Sequence, residues 1–260
     1  MNAPGDARRL EPVPILLYHS VAPVGLLSGD DHWQVGVSDF RKDMESVVET
    51  GRTPMTAEAY ADWLRSGDPC LRPVLVTFDD GFADFADVAL PVLQELGMCA
   101  TIFVTSGWVG RKGMLSAAAV RELAEDGTEI GGHAVTHPHL DTISTGGARG
   151  EILGCRHALE DMTGRWVTSF AYPHGSFHHR TRRLVIDSGY RTAHAVKNAL
   201  SHGADDPFAV GRFTVTATTS REQVQAVLDG RGAPLAWRRE RLRTRGYRVV
   251  RRARAAGLPV

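Results

Sequence analysis

Two aspartates stand side by side after an apolar run: Pro73-Val74-Leu75-Val76-Thr77-Phe78 leads into Asp79-Asp80-Gly81. The run reads as a buried strand, and carboxylates left unpaired at its end are costly. One of them can bind a metal while the other takes a proton. Aspartates also serve as turn and capping residues, so the pair alone allows either use. Two imidazoles follow at His133 and His137, in Gly132-His133-Ala134-Val135-Thr136-His137-Pro138-His139. Their spacing puts them on one face if the segment is a helical turn. Two imidazoles and one carboxylate make a facial ligand set that leaves positions open for water and substrate. His139 is a third imidazole, read as facing solvent or supporting the other two. Ala171-Tyr172-Pro173-His174-Gly175 is a Pro-x-Gly turn after a strand. It is able to present a backbone N–H to an oxyanion, or to be a turn and nothing more. His19 closes the short apolar run 14–18 near the start of the chain.

Strand-like and helical runs alternate around these residues. The pattern predicts strands at 14–18, 73–78, 99–105, 128–130, 169–172, 190–195 and 211–215. It predicts helices at 38–50, 87–96, 116–125, 146–162 and 181–187, the first capped by Ser38 and stopped by Gly51. Such alternation argues for α/β with a mainly parallel sheet. His19, Asp79-Asp80, His133 and Tyr172-Pro173 fall at the ends of successive strands. A barrel gathers strand ends around one mouth, so a barrel is preferred to an open sheet.

The chain has 260 residues, 43% hydrophobic and 23% charged, enough for a sizeable core. Cys70, Cys99 and Cys155 lack the spacing of a disulfide framework or a thiolate metal site. No GxGxxG and no P-loop is present, so nucleotide cofactors are not indicated. The net charge of zero hides an asymmetry: residues 231–260 hold ten arginines and one acid, and residues 1–230 hold 20 basic and 29 acidic side chains. This divides the chain into a catalytic domain, 1–230, and an Arg-rich tail, 231–260, helical or disordered. The tail mixes arginines with Trp237, Leu242, Tyr247, Val249 and Val250, as a segment lying on an anionic membrane would. A solvated tail is the alternative, and no motif supports nucleic-acid binding. No apolar stretch reaches the roughly 20 residues of a membrane span, and no secretory signal is evident. The expectation is a cytoplasmic protein with peripheral membrane contact.

The order TFDDG, HAVTH, FAYPHG resembles the polysaccharide deacetylase family (carbohydrate esterase family 4, the nodulation-type deacetylase homology domain), over about residues 14–215. The resemblance implies a distorted (β/α)7-type barrel in a single domain. It implies a divalent metal, zinc first with Co2+, Ni2+ or Mn2+ as alternatives. The implied activity is hydrolysis of the N-acetyl group of an amino sugar in a glycan precursor, glycolipid or glycosylated metabolite. Carried over by position, Asp79 is the general base and Asp80, His133 and His137 are the metal ligands. Tyr172 and His174 form the oxyanion side, with the His174 N–H as donor. Two departures stand out. The arginine that opens the third motif in many members is Ala171 here, and the late leucine-x-histidine motif is not evident around His194 or His202. Both resemble the circularly permuted poly-N-acetylglucosamine deacetylases, in which an early LLYH supplies the acid. Leu16-Leu17-Tyr18-His19 then makes His19 the acid, and Arg212, in VGRFTV, the residue that orients the base. The rival reading is a non-catalytic sugar-binding relative, which Ala171 would suit and the intact Asp79 and ligand set would not.

Overall fold

The computed structural model describes residues 11–23, 31–236 and 250. Ten strands appear among them: β1 Ile15–Tyr18, β2 Ser20–Val21, β3 Gln34–Val35, β4 Thr53–Pro54, β5 Pro73–Phe78, β6 Thr101–Val104, β7 Glu129–Gly132, β8 Ser169–Ala171, β9 Thr192–His194 and β10 Phe213–Thr214. The helices between them are α1 Val37–Glu49, α2 Ala57–Ser66, α3 Leu90–Glu95, α4 Ala117–Glu125, α5 Thr145–Thr163, α6 His179–Asp187 and α7 Arg221–Leu228. The main sheet runs β10-β1-β5-β6-β7-β8-β9, with β4 beside β5, and its pairings are parallel. Val210, just ahead of β10, also pairs in parallel with His194 of β9. One short segment thus reaches both edges, and the sheet curls into the expected distorted barrel.

Strand alternation sorts the side chains into two layers. Leu16, Val76, Phe78, Ile102 and Phe170 face outward into one cluster with Phe40, Met44, Leu123 and Ile152 of the surrounding helices. Ile15, Leu75 and Val210 cluster instead with Tyr60 of α2, and Phe103 and Ala171 with Ala57. The start of α2 plugs the base of the barrel. Its Ala57 N–H donates to the Thr101 hydroxyl at 2.9 Å, and the Glu129 carboxylate accepts from Thr101 at 2.8 Å and from the Glu58 N–H at 3.1 Å. Gly131 lets β7 lie against this interior, because a Cβ there would meet the Phe103 ring at 2.4 Å and Ser169 Oγ at 2.7 Å.

Several elements differ from the pattern read in the sequence. α1 starts at Val37 with Gly36 as N-cap, so Ser38 lies inside the first turn and caps nothing. The helix expected from Asp87 opens as a π-helical turn, Phe85–Ala89, and becomes α-helical only at Leu90. Pro91 has no N–H to return one turn back, which favours this break. α2, with Thr56 as a side-chain N-cap and left-handed Gly67 as its stop, and α7, with a Ser220–Gln223 capping box, are additions. Residues 231–236 run along the body, where the Ala236 N–H donates to Leu200 O at 2.7 Å. The rest of the Arg-rich tail lies outside the described residues, position 250 excepted. Among the described residues, no helix is long and apolar enough to cross a membrane.

Candidate active site

Parallel register brings the chemistry-bearing residues level. Tyr18 is paired with Phe78, and Val104 with Gly132. His19, Asp79 and His133 are the next residues of their chains, so all three stand at the carboxyl end of the barrel. Strand ends of this kind are where barrels place chemistry.

Asp79 is buried, 2% accessible, and both its oxygens are held by one fork. Arg212 NH1 donates to Oδ1 at 2.7 Å and NH2 to Oδ2 at 2.8 Å. Arg212 is itself inaccessible. It also reaches the Thr77 hydroxyl at 3.3 Å and Ala195 O at 3.4 Å, and its guanidinium lies 5.3 Å from the centre of the Phe103 ring. Burial alone would push the Asp79 carboxyl up. The Arg212 charge, the nearby His133 and the Arg212 hydrogen bonds outweigh it and hold the group well below the usual carboxylate range. Arg212, just ahead of β10, supplies the guanidinium that Ala171 does not.

Asp80 is oriented differently. Its φ of 77° puts it in the left-handed region, which costs a non-glycine residue roughly 1–2 kcal/mol. The turn swings its carboxylate away from Arg212 and toward two imidazoles. Asp80 Oδ1 lies 3.5 Å from His133 Nε2 and 3.4 Å from His137 Nε2, and the two nitrogens are 3.2 Å apart. Asp80 Oδ1 is buried without a hydrogen-bond partner. Burial pushes this carboxyl up to about 6, with His133 opposing and the Asp79 charge adding. Ligands about 2.1 Å from a tetrahedral zinc are roughly 3.4 Å apart, so the triangle has the size a metal requires. Among the described residues, Asp80, His133 and His137 are the group whose ligand atoms converge in this way.

The imidazoles are aimed by their surroundings. His133 Nδ1–H donates to Ala171 O at 2.8 Å, which turns the Nε2 lone pair to the triangle. His137 lies on no helical turn, contrary to the reading of its spacing. Ala134 and His137 are both left-handed, with φ of 65° and 64°, and the 133–140 segment is irregular. Glu151 pins the loop by accepting from the Val135 and Thr136 N–H groups at 2.9 and 2.8 Å and from the Thr136 hydroxyl at 2.7 Å. Burial pushes His137 down to about 3, with His133 and His174 adding to the shift.

His19 stands in the same mouth. Its Nδ1 is buried and has no hydrogen-bond partner, and its ring packs 4.6 Å from that of Trp33. Burial pushes it down to about 4, Asp79 opposing and Arg212 and His133 adding. His174 has a left-handed backbone, φ 57°. Its ring lies 4.4 Å from His137 and 3.9 Å from His139. Tyr172 points outward: its side chain is inaccessible, donates to Phe208 O at 3.0 Å and stacks on Phe177 at 4.7 Å. Only its backbone adjoins the His174 turn. The two histidines weighed for the late motif, His194 and His202, lie elsewhere. His194 is sealed in the interior beside Phe103, and His202 Nε2 bonds the backbone of Ala236 at 3.1 Å. Glu151, Trp33 and Trp108 were not singled out in the sequence, and no local motif marks them.

A profile of the family described as Polysaccharide deacetylase matches residues 66–193. YxkH of Bacillus subtilis is 26% identical over 218 residues, which cover 84% of this chain and 76% of YxkH. The peptidoglycan-N-acetylglucosamine deacetylase PgdA of Listeria monocytogenes is 26% identical over 159 residues, 56% of this chain and 33% of PgdA. The Streptococcus pyogenes deacetylase PplD, solved with acetate, superposes with a TM-score of 0.77 at 22% identity, covering 84% of this chain and 98% of PplD. At that identity PplD speaks to the fold alone.

The Asp79–Arg212 pair generates a test. Arg212→Met keeps the bulk and removes the fork, leaving burial to raise Asp79. If Asp79 is the base, the acid limb of kcat/KM moves up by about one pH unit or more. Loss of one partner of a buried pair also costs about 3–5 kcal/mol in urea unfolding. An unmoved acid limb in a folded variant would show that Arg212 does not set the ionisation of the base.

Proposed function

The chain belongs to the polysaccharide deacetylase family, and from that premise we propose that it hydrolyses the N-acetyl group of an amino sugar within a glycan or glycoconjugate, using zinc. One observation carries the reading. A single barrel mouth holds a carboxylate kept ionised by Arg212 beside a separate ligand triangle of Asp80, His133 and His137. The name of PgdA specifies an N-acetylglucosamine substrate, which agrees with this class. A sugar-binding relative without activity would need neither half of that arrangement.

Zinc on the triangle would polarise the acetyl carbonyl and acidify a water. The chain's own residues supply the proton transfers. Asp79 is the base: its charge is secured by Arg212, and it receives the proton of the attacking water. The left-handed turn at His174 is assigned to the oxyanion, with the backbone N–H as donor. His19 is assigned to the leaving nitrogen, since an amine departs only when protonated. Burial disfavours its imidazolium, so His19 carries no extra proton at rest and passes to that nitrogen the one Asp79 takes from the water. Acetate and a free amino sugar result.

Asp79→Asn, loaded with zinc, is expected to lose about 10²–10⁴-fold in kcat for acetate release while retaining one bound zinc, and His19→Ala to do the same. Near-parental turnover in either variant would remove that residue from its role. The basic tail is assigned to an anionic membrane surface. Removing residues 237–260 should abolish association with phosphatidylserine vesicles in low salt, and undiminished association would refute that assignment.

A further inference from the structure

The base of the barrel, at the opposite end from the site, holds a cation with no counter-ion among the described residues. Arg52 follows the left-handed Gly51 just past α1, and its N–H donates to the Thr50 hydroxyl at 3.1 Å. It is 9% accessible. Both of its side-chain hydrogen bonds leave from NH1, to the backbone oxygens of Pro12 and Pro73 at 3.2 and 3.3 Å. Its Nε is buried and has no partner. The acids whose charge reaches it are engaged elsewhere: Glu11 pairs with Arg72 at 3.6 Å, and Asp229 with Arg231 at 2.7 Å. Burial, with the Arg72 charge adding and Glu11 and Asp229 opposing, holds the Arg52 guanidinium below its ordinary range. Arginine nevertheless stays protonated at any working pH. A buried charge in this state calls for an anion.

Arg52 lines a cavity of about 460 Å³, a size that suits a small organic ligand. The cavity lies between residues 11–13 ahead of β1, the start of β5 and the last turn of α2. Its wall is apolar, because Trp63, Leu64 and Leu71 pack over the cluster that holds Ile15, Tyr60 and Leu75. Trp63 stacks on Tyr60 at 5.5 Å, and its indole N–H donates to Asp68 O at 2.9 Å. β1 and β5 run from here to His19 and Asp79, and the six residues of β5 put roughly 20 Å between cavity and mouth.

We infer that this cavity binds a small carboxylate-headed amphiphile, a medium-chain fatty acid in chemical class, with its head on Arg52 and its hydrocarbon against Trp63 and Leu64. The unused edge of a guanidinium matches a carboxylate with two parallel bonds. One negative charge completes the balance. Arg65 and Arg72 line the same cavity but pair with Asp62 and Glu11, so a phosphate dianion would bring a second charge that no cation meets. The inference is independent of the deacetylase reading.

Calorimetry on the zinc-loaded full chain tests it, with acetate in the buffer to occupy the metal and butyrate, hexanoate, octanoate, octan-1-ol and octyl phosphate as probes. One octanoate should bind per chain, and affinity should rise by up to about fourfold per methylene from butyrate. Octan-1-ol should bind about thirtyfold more weakly. Arg52→Met should weaken octanoate by about thirtyfold or more and leave octan-1-ol little changed. Arg52→Lys keeps the charge without the planar edge and should cost about fivefold, which carries the test if Arg52→Met does not fold. Arg72→Met, which removes a half-exposed and already paired charge, should cost less than about fivefold. Octanoate bound no better than octan-1-ol, undiminished binding in the folded Arg52 variants, or no binding at all would overturn the inference. Tighter binding of octyl phosphate than of octanoate would overturn the choice of a carboxylate.

Discussion

The site depends on a guanidinium that closes on a carboxylate inside the barrel. Arg212 is inaccessible and Asp79 nearly so, and isolated charges at that depth would be untenable. Bidentate geometry satisfies both Asp79 oxygens, and the remaining guanidinium contacts go to Thr77, Ala195 and the face of Phe103. Because both Asp79 oxygens are engaged, that carboxylate is poorly free to become a ligand. Its neighbour has to turn elsewhere, and the left-handed backbone at Asp80 provides the turn. Two adjacent residues of one type thereby acquire opposite environments: one is held ionised by Arg212, and the other is pushed up toward neutrality and aimed at two imidazoles.

The rest of the fold serves that division. Gly131 leaves room for Phe103, and Ala171 packs with that ring and Ala57. The start of α2 closes the base, where its Ala57 and Glu58 N–H groups bond Thr101 and Glu129. Backbone strain concentrates at the mouth. Asp80, Ala134, His137 and His174 are four of the five non-glycine residues with positive φ among those described. Strain of this kind persists where surrounding bonds over-determine it, as Glu151 does for the 135–136 loop.

Much of this was legible in the sequence, and the boundary of legibility is physical. Asp79, Asp80, His133 and His19 could be found because each follows an apolar run whose end is visible. The i, i+4 spacing of His133 and His137 would share a face on a helical turn, yet the residues converge through two left-handed residues, Ala134 and His137, that residue types alone do not announce. Arg212 meets Asp79 across 133 positions of sequence. No periodicity encodes such a contact, and only the resemblance pointed to it. Tyr172 shows the converse: its motif suggested a place at the oxyanion, but strand alternation turns the ring into the outer layer. The π-helical turn before α3 and the plug formed by α2 likewise arise from tertiary context.

The central claim is that the two aspartates divide the work, Asp80 on the metal and Asp79 on Arg212. Anomalous diffraction at the zinc edge from crystals of the zinc-loaded protein tests it most directly. The account predicts one peak bounded by Asp80 Oδ1, His133 Nε2 and His137 Nε2, with Asp79 still in the Arg212 fork. A peak coordinated by Asp79, or zinc bound elsewhere with the triangle unchanged, would contradict it.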